Sequence, residues 1–242
     1  MVERQGGTAP SVVVDVVSEI PMAAGLGSSA AATAAGLRVF ERVVGPVADG
    51  VLLQVATDIE GHGDNAAPAL FGGLNSVVDD DGGLPWALHW TWPDDLRLIV
   101  ATPFTGLATS KARAVLSPAL ARRDGIFNLQ RVLALVHGLQ HGEYDRLREG
   151  FKDRWHQPER AALVPHLGPV LSLQDPDVLG ACLSGAGPSV AVVARQHYGR
   201  VAQLLEQTCV GAGVPVVVRI LSVHERSDRK STRLNSSHVA LS

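Results

Sequence analysis

Cysteine is scarce in this chain, which has only Cys182 and Cys209 among its 242 residues. Neither has metal-ligand neighbours at the spacing of a zinc motif, so a zinc ribbon or finger is excluded. Both lie in apolar segments. We therefore expect two buried free thiols rather than a disulfide, and we place the chain in the reducing cytoplasm.

Long apolar runs are absent as well, and no segment approaches the roughly 18 residues of a membrane-spanning helix. The start of the chain shows no secretory signal. The formal net charge of −3 argues against a basic face for nucleic acid. Since 46% of the residues are hydrophobic and 19% charged, the composition predicts a globular core with no membrane or nucleic-acid partner.

Glycine marks the most informative segment, PMAAGLGSSAAA at residues 21–32. Gly25 and Gly27 can adopt backbone angles closed to other residues and allow a ligand to approach the main chain. An alanine-rich helix is predicted to follow, and its first amides suit a phosphate because they lack internal partners at the positive end of the helix dipole. Ser28 and Ser29 can also cap this helix, and both roles can coexist.

Three interpretations of this glycine loop are open. The spacing Gly25-x-Gly27-x-x-Ala30 fits a dinucleotide fingerprint, but that fold needs a strand after the helix, where this sequence predicts a second helix. A Walker loop is excluded because no lysine lies nearby. A strand-to-helix turn without a ligand is the third interpretation, and the proline four residues upstream favours a phosphate loop over it.

Strand and helix signals alternate without strict βα repetition, so the predicted fold class is α+β. Strands are predicted at residues 11–17, 74–78, 88–92, 96–101, 181–183, 189–193 and 214–221. Helices are predicted at residues 28–44, 47–60, 109–116, 124–140, 143–152, 165–173 and 198–209, with a short turn at 66–71. A domain boundary is predicted near Pro93.

The last segment, residues 226–242, is polar, basic and aperiodic. Its run from Asp228 to His238 resembles the translation of a DNA-sequencing adapter. We interpret it as a non-native or disordered tail and leave it out of the fold prediction.

Several motifs, in chain order, resemble those of the GHMP kinases. The glycine loop is similar to the phosphate-binding loop of that superfamily. EGHGDNAAPALFGG at residues 60–73 and LSGAGPS at 183–189 resemble the homoserine kinases within it. TSKAR at 109–113 and DRWHQPER at 153–160 resemble the same family.

The resemblance implies the two-domain GHMP kinase fold. Residues 1–93 would form a partial N-terminal ATP-binding domain, and residues 94–225 a C-terminal sheet-and-helix layer ahead of the tail at 226–242. The superfamily begins with an earlier strand and loop, which residues 1–10 are too short to supply. We therefore expect an N-terminally incomplete chain with a truncated nucleotide-binding part.

The implied activity is transfer of the γ-phosphate of ATP to the hydroxyl of L-homoserine, giving O-phospho-L-homoserine in threonine biosynthesis. Mg²⁺ is the implied cofactor, with Ser29 and Glu60 as its ligands. A solvated helix-end carboxylate is the alternative for Glu60. A homodimer is compatible with the family. The implied ATP-binding residues are Pro21, Gly25, Leu26, Gly27, Ser28, Ser29 and Ala30.

Asp64 and Asn65 are the implied catalytic residues. Asn65 is expected to bind the amino-acid head or the hydroxyl of homoserine, and Asp64 to bind its ammonium or act as a base. An Asx turn or a helix cap explains either residue without a ligand. Arg113 and Arg160 are expected to bind the substrate carboxylate, because a guanidinium fork matches a carboxylate. Gly185 is expected to line the site through its backbone.

Other functions compete with this one. A sister kinase acting on mevalonate or another alcohol is the nearest alternative. A non-catalytic fragment that keeps a partial fold is the second, and a dinucleotide-dependent oxidoreductase is the third.

Overall fold

The computed structural model of the chain describes residues 12–225 and the backbone of residues 237–240. Its helices are α1 (Ser28–Val44), α2 (Asp49–Glu60), α3 (Ala66–Phe71), α4 (Thr109–Ala114), α5 (Arg122–His141), α6 (Leu147–Gly150), α7 (His156–Arg160), α8 (Leu167–Leu171) and α9 (Tyr198–Gly211). Its strands are β1 (Val13–Val16), β2 (Leu74–Val78), β3 (Trp86–Trp90), β4 (Arg97–Pro103), β5 (Val178–Leu183), β6 (Val190–Ala194), β7 (Val216–Leu221) and β8 (Ser237–Ala240). The predicted α+β class is confirmed. We call residues 12–93 the first part and residues 94–225 the second part.

Three helices, α1 to α3, pack together and form the core of the first part. Ala34 and Leu37 lie on the buried face of α1, since residues three and four apart share one side of a helix. They pack with Leu52 and Leu53 of α2 and with Leu70 of α3. Burial of one such leucine contributes about 1.5–3 kcal/mol. This packing holds the start of α1 and the end of α2 side by side.

The order of elements after the glycine loop excludes one of the alternatives. Helix α1 ends at Gly45, and α2 follows it directly. A dinucleotide-binding unit requires a parallel strand after its first helix. The dinucleotide-dependent oxidoreductase is therefore not supported by this fold.

Strands of the first part contribute to two small antiparallel sheets. In one, β2 pairs with β3, and Leu74 lies opposite Trp90. In the other, β1 pairs with β8, and Val13 lies opposite Ala240. The valines of β1 favour extended backbone, and its amide and carbonyl groups need partners, which β8 supplies. Strand β8 falls within the tail predicted to be non-native or disordered, and the rest of that tail lies outside the described residues.

A four-stranded antiparallel sheet, in the order β5-β6-β4-β7, forms the centre of the second part. All five residues of β6 are buried. Helices α8 and α9 cover the sheet and bury Leu167, Leu205 and Cys209 in its core. The long apolar run of the central strand is explained by this covering.

A smaller apolar cluster joins the two parts. Trp92 and Leu96 pack there with Leu139 of α5 and Val193 of β6. The amide of Trp92 also donates to the Glu225 carboxylate at 2.6 Å. The boundary predicted near Pro93 thus falls at a packed junction.

Several predicted bounds differ from the observed ones. The helix predicted at 143–152 is a 3-10 turn at Tyr144–Arg146 followed by α6. Helix α7 was not predicted, because its five residues are too few to show a helical period. Strand β5 begins at Val178, three residues before the predicted start.

Both cysteines are free, as predicted. Cys209 is buried and Cys182 is half-buried. Among the described helices, none has the length and apolar character needed to cross a bilayer.

Candidate active site

The glycine loop packs against a second glycine turn, which connects β5 to β6. A Cβ atom at Gly25, where φ is +75°, would lie 2.3 Å from the carbonyl oxygen of Ser184 and 2.8 Å from that of Gly187. The Ser184 hydroxyl donates to the Gly25 carbonyl at 2.8 Å. The Ser189 amide donates to the Ala24 carbonyl at 3.2 Å. Contact between the two turns therefore requires a glycine at position 25, whereas the sequence prediction attributed it to the approach of a ligand.

The start of α1 has no side-chain cap. Gly27 occupies the N-cap position with a left-handed φ of 70°. The first helical hydrogen bond joins the Ala31 amide to the Gly27 carbonyl at 2.9 Å. The amides of Ser28, Ser29 and Ala30 precede it, at the positive end of the helix dipole. The prediction that Ser28 or Ser29 caps α1 is wrong, because both residues lie inside the helix.

Side chains from α1 and α2 meet at Glu60, the last residue of α2. The Ser29 hydroxyl donates to Glu60 Oε1 at 2.9 Å. The Thr33 hydroxyl donates to the same oxygen at 2.6 Å. Ser29 and Thr33 are four residues apart and so share a face of α1. The two residues predicted to bind Mg²⁺ are thus in direct contact.

The turn between α2 and α3 carries Asp64 and Asn65. The Asn65 side chain makes no capping bond to α3 and lies beside the glycine loop, where a Cβ atom at Gly27 would be 3.6 Å from its Oδ1. The Asp64 side chain is 77% exposed and contacts His62 Nδ1. It accepts a hydrogen bond from the adjacent Asn65 amide at 2.7 Å. A helix cap therefore does not explain Asn65.

A cleft of about 770 Å³ opens beside this turn, with walls from both parts of the chain. The predicted site residues that line it are Asp64, Asn65, Arg113, Arg160 and Gly185. The glycine loop, with Pro21 and Leu26 half-buried in it, and Glu60 do not belong to its walls. The predicted residues thus form two groups, and Asn65 belongs to both because it lines the cleft and lies beside Gly27.

Two arginines bring positive charge into the cleft. Arg160 is buried, and its guanidinium donates to the carbonyls of Ala112 and Gly185, each at 3.1 Å. Burial lowers the pKa of Arg160, and the neighbouring Arg113 lowers it further. Arg113 is exposed. Two guanidinium groups so close repel each other, so an anion between them would be favoured.

Asp153 organises the segment that carries the buried arginine. Its carboxylate accepts hydrogen bonds from the amides of residues 155–157 at 2.6–2.9 Å and from the Asn128 side chain at 2.6 Å. Burial alone would raise the pKa of Asp153, but these hydrogen bonds outweigh it together and hold that pKa below its ordinary value. Asp153 thus starts α7 and fixes the direction in which Arg160 enters the cleft.

Gln157 fastens α7 to the sheet. Its Oε1 accepts a hydrogen bond from the Leu183 amide at 2.8 Å, and its Nε2 donates to the Phe151 carbonyl at 3.3 Å. The Phe151 ring lies against Gly180, where a Cβ atom would be 2.1 Å from the ring. The Gln157 bond therefore occupies the outer edge of β5, which is an edge strand of the sheet. The Phe151 ring covers one face of the same strand, because a Cβ atom projects from the face of a sheet.

Several residues of the site were missed in the sequence prediction. Thr33 lies one helical turn after Ser29 on the same face of α1. This spacing indicates that Thr33 reaches Glu60 only once α1 and α2 are known to pack together. His62 and His156 also line the cleft. Burial lowers the pKa of His156, and so does Arg160, while Asp153 opposes them. The sequence signal that could have identified these two histidines is their position inside the motifs at residues 60–73 and 153–160.

Comparison with protein families matches both parts of the chain. Residues 1–73 match the family described as GHMP kinases N terminal domain. Residues 135–209 match GHMP kinases C terminal. Both matches agree with the mixed helices and antiparallel sheets described above.

Individual relatives narrow the family. The homoserine kinase of Solibacter usitatus is 38% identical over 208 residues, which cover 84% of this chain and 67% of that protein. The homoserine kinase of Desulfitobacterium hafniense is 36% identical, with 91% and 75% covered. The crystal structure of homoserine kinase from Cytophaga hutchinsonii shares the fold, with a TM-score of 0.78 at 23% identity over 92% of this chain and 70% of that one. The chain therefore belongs to the homoserine kinase family of the GHMP kinase superfamily.

Proposed function

We infer that this chain transfers the γ-phosphate of ATP to the side-chain hydroxyl of L-homoserine, giving O-phospho-L-homoserine and ADP. One observation carries the inference beyond family membership. Asn65 lies against Gly27 at the start of α1 and also lines the cleft that holds Arg113 and Arg160. A phosphate at the helix start and an amino acid in the cleft would therefore meet at Asn65.

The nucleotide side of the proposal rests on the start of α1. The amides of Ser28 to Ala30 lie at the positive helix end without a side-chain cap, which suits the charge of a triphosphate. Pro21, Gly25, Leu26 and Gly27 form the loop that leads into them. Because Gly25 is packed against the second glycine turn, we assign it a supporting role and assign the phosphate contacts to Gly27 and the helix amides.

The amino-acid side of the proposal rests on charge. The guanidinium groups of Arg113 and Arg160 would hold the homoserine carboxylate, and the exposed Asp64 carboxylate would hold its ammonium. The Asn65 amide would then orient the hydroxyl toward the γ-phosphate. The Gly185 carbonyl contributes through its bond to Arg160, which keeps the guanidinium in place.

The donor set at Glu60 fits Mg²⁺. The Ser29 hydroxyl and the Glu60 carboxylate are hard oxygen donors, which this ion prefers. Within the described residues, no group of three or more histidine, cysteine, aspartate or glutamate side chains could hold a metal ion, so phosphate oxygens and water would complete the ligand set. Bound Mg²⁺ would neutralise charge on the phosphates.

The chemical step asks mainly for positioning. The bond from the γ-phosphorus to the bridging oxygen of ADP breaks while a bond to the homoserine oxygen forms, and the hydroxyl proton leaves to solvent. Such transfers pass through a loose transition state that needs little help from a base. Because the Asp64 side chain is 77% exposed, we assign it to binding the ammonium rather than to proton abstraction.

The test is ADP release by this chain with ATP, Mg²⁺ and either homoserine or mevalonate. We expect stimulation by homoserine only, because the cleft offers both a cationic and an anionic group for an amino acid. Stimulation by mevalonate alone would contradict the assignment of homoserine and would identify the chain as a sister kinase. If neither homoserine nor mevalonate stimulates ADP release by the folded chain, the non-catalytic alternative is favoured.

The proposal also covers the pathway, the cellular location and the oligomeric state of the chain. The product, O-phospho-L-homoserine, places the chain in threonine biosynthesis, and we assign it to the cytoplasm on the basis of its free cysteines. A homodimer stays a prediction.

A further inference from the structure

The Glu60 carboxylate occupies an unfavourable place in its helix. It is the last residue of α2, and the last turn of that helix has no basic residue. The carbonyl end of a helix carries partial negative charge, which disfavours a carboxylate there. Hydrogen-bond donors or a cation beside the Glu60 carboxylate would offset that cost.

Two hydroxyl groups supply part of this compensation, and both bind one oxygen. Ser29 and Thr33 donate to Oε1, at 2.9 and 2.6 Å. No hydrogen bond or ion pair joins Oε2 to any residue between 12 and 225. The carboxylate is therefore asymmetric, with one oxygen occupied by protein donors and the other left for a ligand.

The direction of the Ser29 hydroxyl follows from the same arrangement. A hydroxyl has one proton and two lone pairs. Since its proton points to Glu60, the lone pairs of Ser29 face away from the carboxylate and suit a cation. Ser29 is exposed, whereas Thr33 is half-buried one turn further into α1.

We propose that Thr33 is a positioning residue that holds the Glu60 carboxylate so that its Oε2 and the Ser29 oxygen face the same divalent cation. Thr33 does not bind the cation. It fixes the rotation of the carboxylate from the buried side, which leaves Ser29 free to act as a ligand. The inference rests on the proposed function, because it is the metal–nucleotide complex of that reaction that would use the site.

The experiment compares Mn²⁺ binding by the full chain and its variants. Mn²⁺ serves as the probe, and its free concentration is followed by electron paramagnetic resonance in the presence of ADP. Thr33→Val keeps the shape of the side chain but removes the donor, and Thr33→Ser keeps the donor. Thr208→Val is the matched control, since among residues 12–225 the Thr208 hydroxyl bonds only within α9, to the Leu204 carbonyl at 2.7 Å.

We expect Thr33→Val to weaken Mn²⁺ binding by about tenfold, the effect of losing one hydrogen bond to a charged group. Thr33→Ser and Thr208→Val should stay within about twofold of the parent. In steady-state assays, the Mg²⁺ concentration for half-maximal rate should rise in Thr33→Val, with the KM for homoserine unchanged. Thr33→Ala provides the same test if valine prevents folding.

Equal Mn²⁺ affinity in the parent and Thr33→Val would overturn the proposal. So would equal loss in Thr33→Ser, because the hydroxyl would then not be the cause. A parent that binds Mn²⁺–ADP but releases no ADP with homoserine would instead contradict the proposed function and leave the role of Thr33 standing.

Discussion

The two parts of the chain have different cores, and they contribute different groups to the site: hydroxyls and carboxylates from the first part, and guanidinium groups from the second. The first part packs alanines and leucines of three helices, and its strand β1 is exposed along its whole length. The second part packs the valines of a covered sheet, whose strand β6 is buried throughout. Oxygen donors come from the first part, at Ser29, Glu60 and Asp64, whereas Arg113 and Arg160 come from the second.

This difference shows how each part holds its functional groups. In the first part, long helices fix hydroxyls and carboxylates at their ends through helix packing. In the second part, the helix that carries Arg160 has five residues, too few to be stable alone. Asp153 and Gln157 hold it instead. Site precision therefore depends on core packing in one part and on buried polar bonds in the other.

The contact between the parts should be the most sensitive feature. Gly25→Ala places a methyl group 2.3 Å from the backbone oxygen of Ser184 at a φ of +75°. Displacement of the loop by this clash should lower homoserine-dependent ADP release by about 10²-fold, the usual cost of a misplacement near 1 Å. Gly36→Ala is the control, because a Cβ atom there has no neighbour within 4 Å. It should raise the free energy of unfolding by about 0.5–1 kcal/mol with activity retained. Normal activity in Gly25→Ala would show that the two turns need not touch.

Because the two parts contribute different groups, variants in the first part should change the response to ATP and Mg²⁺, and variants in the second part should change the KM for homoserine. Arg113→Ala should raise the KM for homoserine by about 10–100-fold, since a bond to a charged group is lost, with little change in the KM for ATP. Ser29→Ala should act on ATP and Mg²⁺ and spare the KM for homoserine. Steady-state kinetics with each substrate varied in turn measures both. An unchanged KM for homoserine in Arg113→Ala would remove that arginine from the site.

The smallest effect concerns acid stability of the second part. A hydrogen bond from the Arg200 guanidinium is the main cause that lowers the pKa of Asp175 to about 2, from an ordinary value of about 3.9. Because the folded pKa is the lower one, this stabilisation is present above pH about 4 and is lost as the pH falls toward 2. Asp175→Asn should therefore flatten the fall in Tm over that interval, as followed by circular dichroism. Asp81→Asn, in an exposed turn of the first part, should leave the fall unchanged. A parallel fall in the parent and Asp175→Asn would contradict the assignment.

Most of the regular elements were predictable from local pattern. The bounds of α1 and β2 match their predicted ranges, because alanine-rich periodicity and flanking glycines mark them clearly. Helix α7 and strand β8 were not predictable. The first is held by distant partners, since Asp153 bonds to Asn128 of α5 and Gln157 to Leu183 of β5, and the second pairs with β1 at the other end of the chain.

The candidate site also has features that the sequence predicted and features that it did not. The motifs predicted which residues gather around the cleft, since Asp64, Asn65, Arg113, Arg160 and Gly185 all line it. They did not predict that Gly25 serves a contact between turns, nor that Thr33 shares an oxygen of Glu60 with Ser29. Both facts depend on which segments lie next to each other in space, and spacing along the chain does not carry that information.

The outer edge of β5 has a consequence for how the molecule stays separate from its neighbours. An uncovered edge strand is a template on which another chain can add a strand. Here the Gln157 amide group occupies a backbone position that such a strand would use, and the Phe151 ring fills the space over Gly180. The Gln157 side chain thus blocks the addition of a strand from another chain at Leu183, while the cleft beside it stays open to molecules the size of an amino acid.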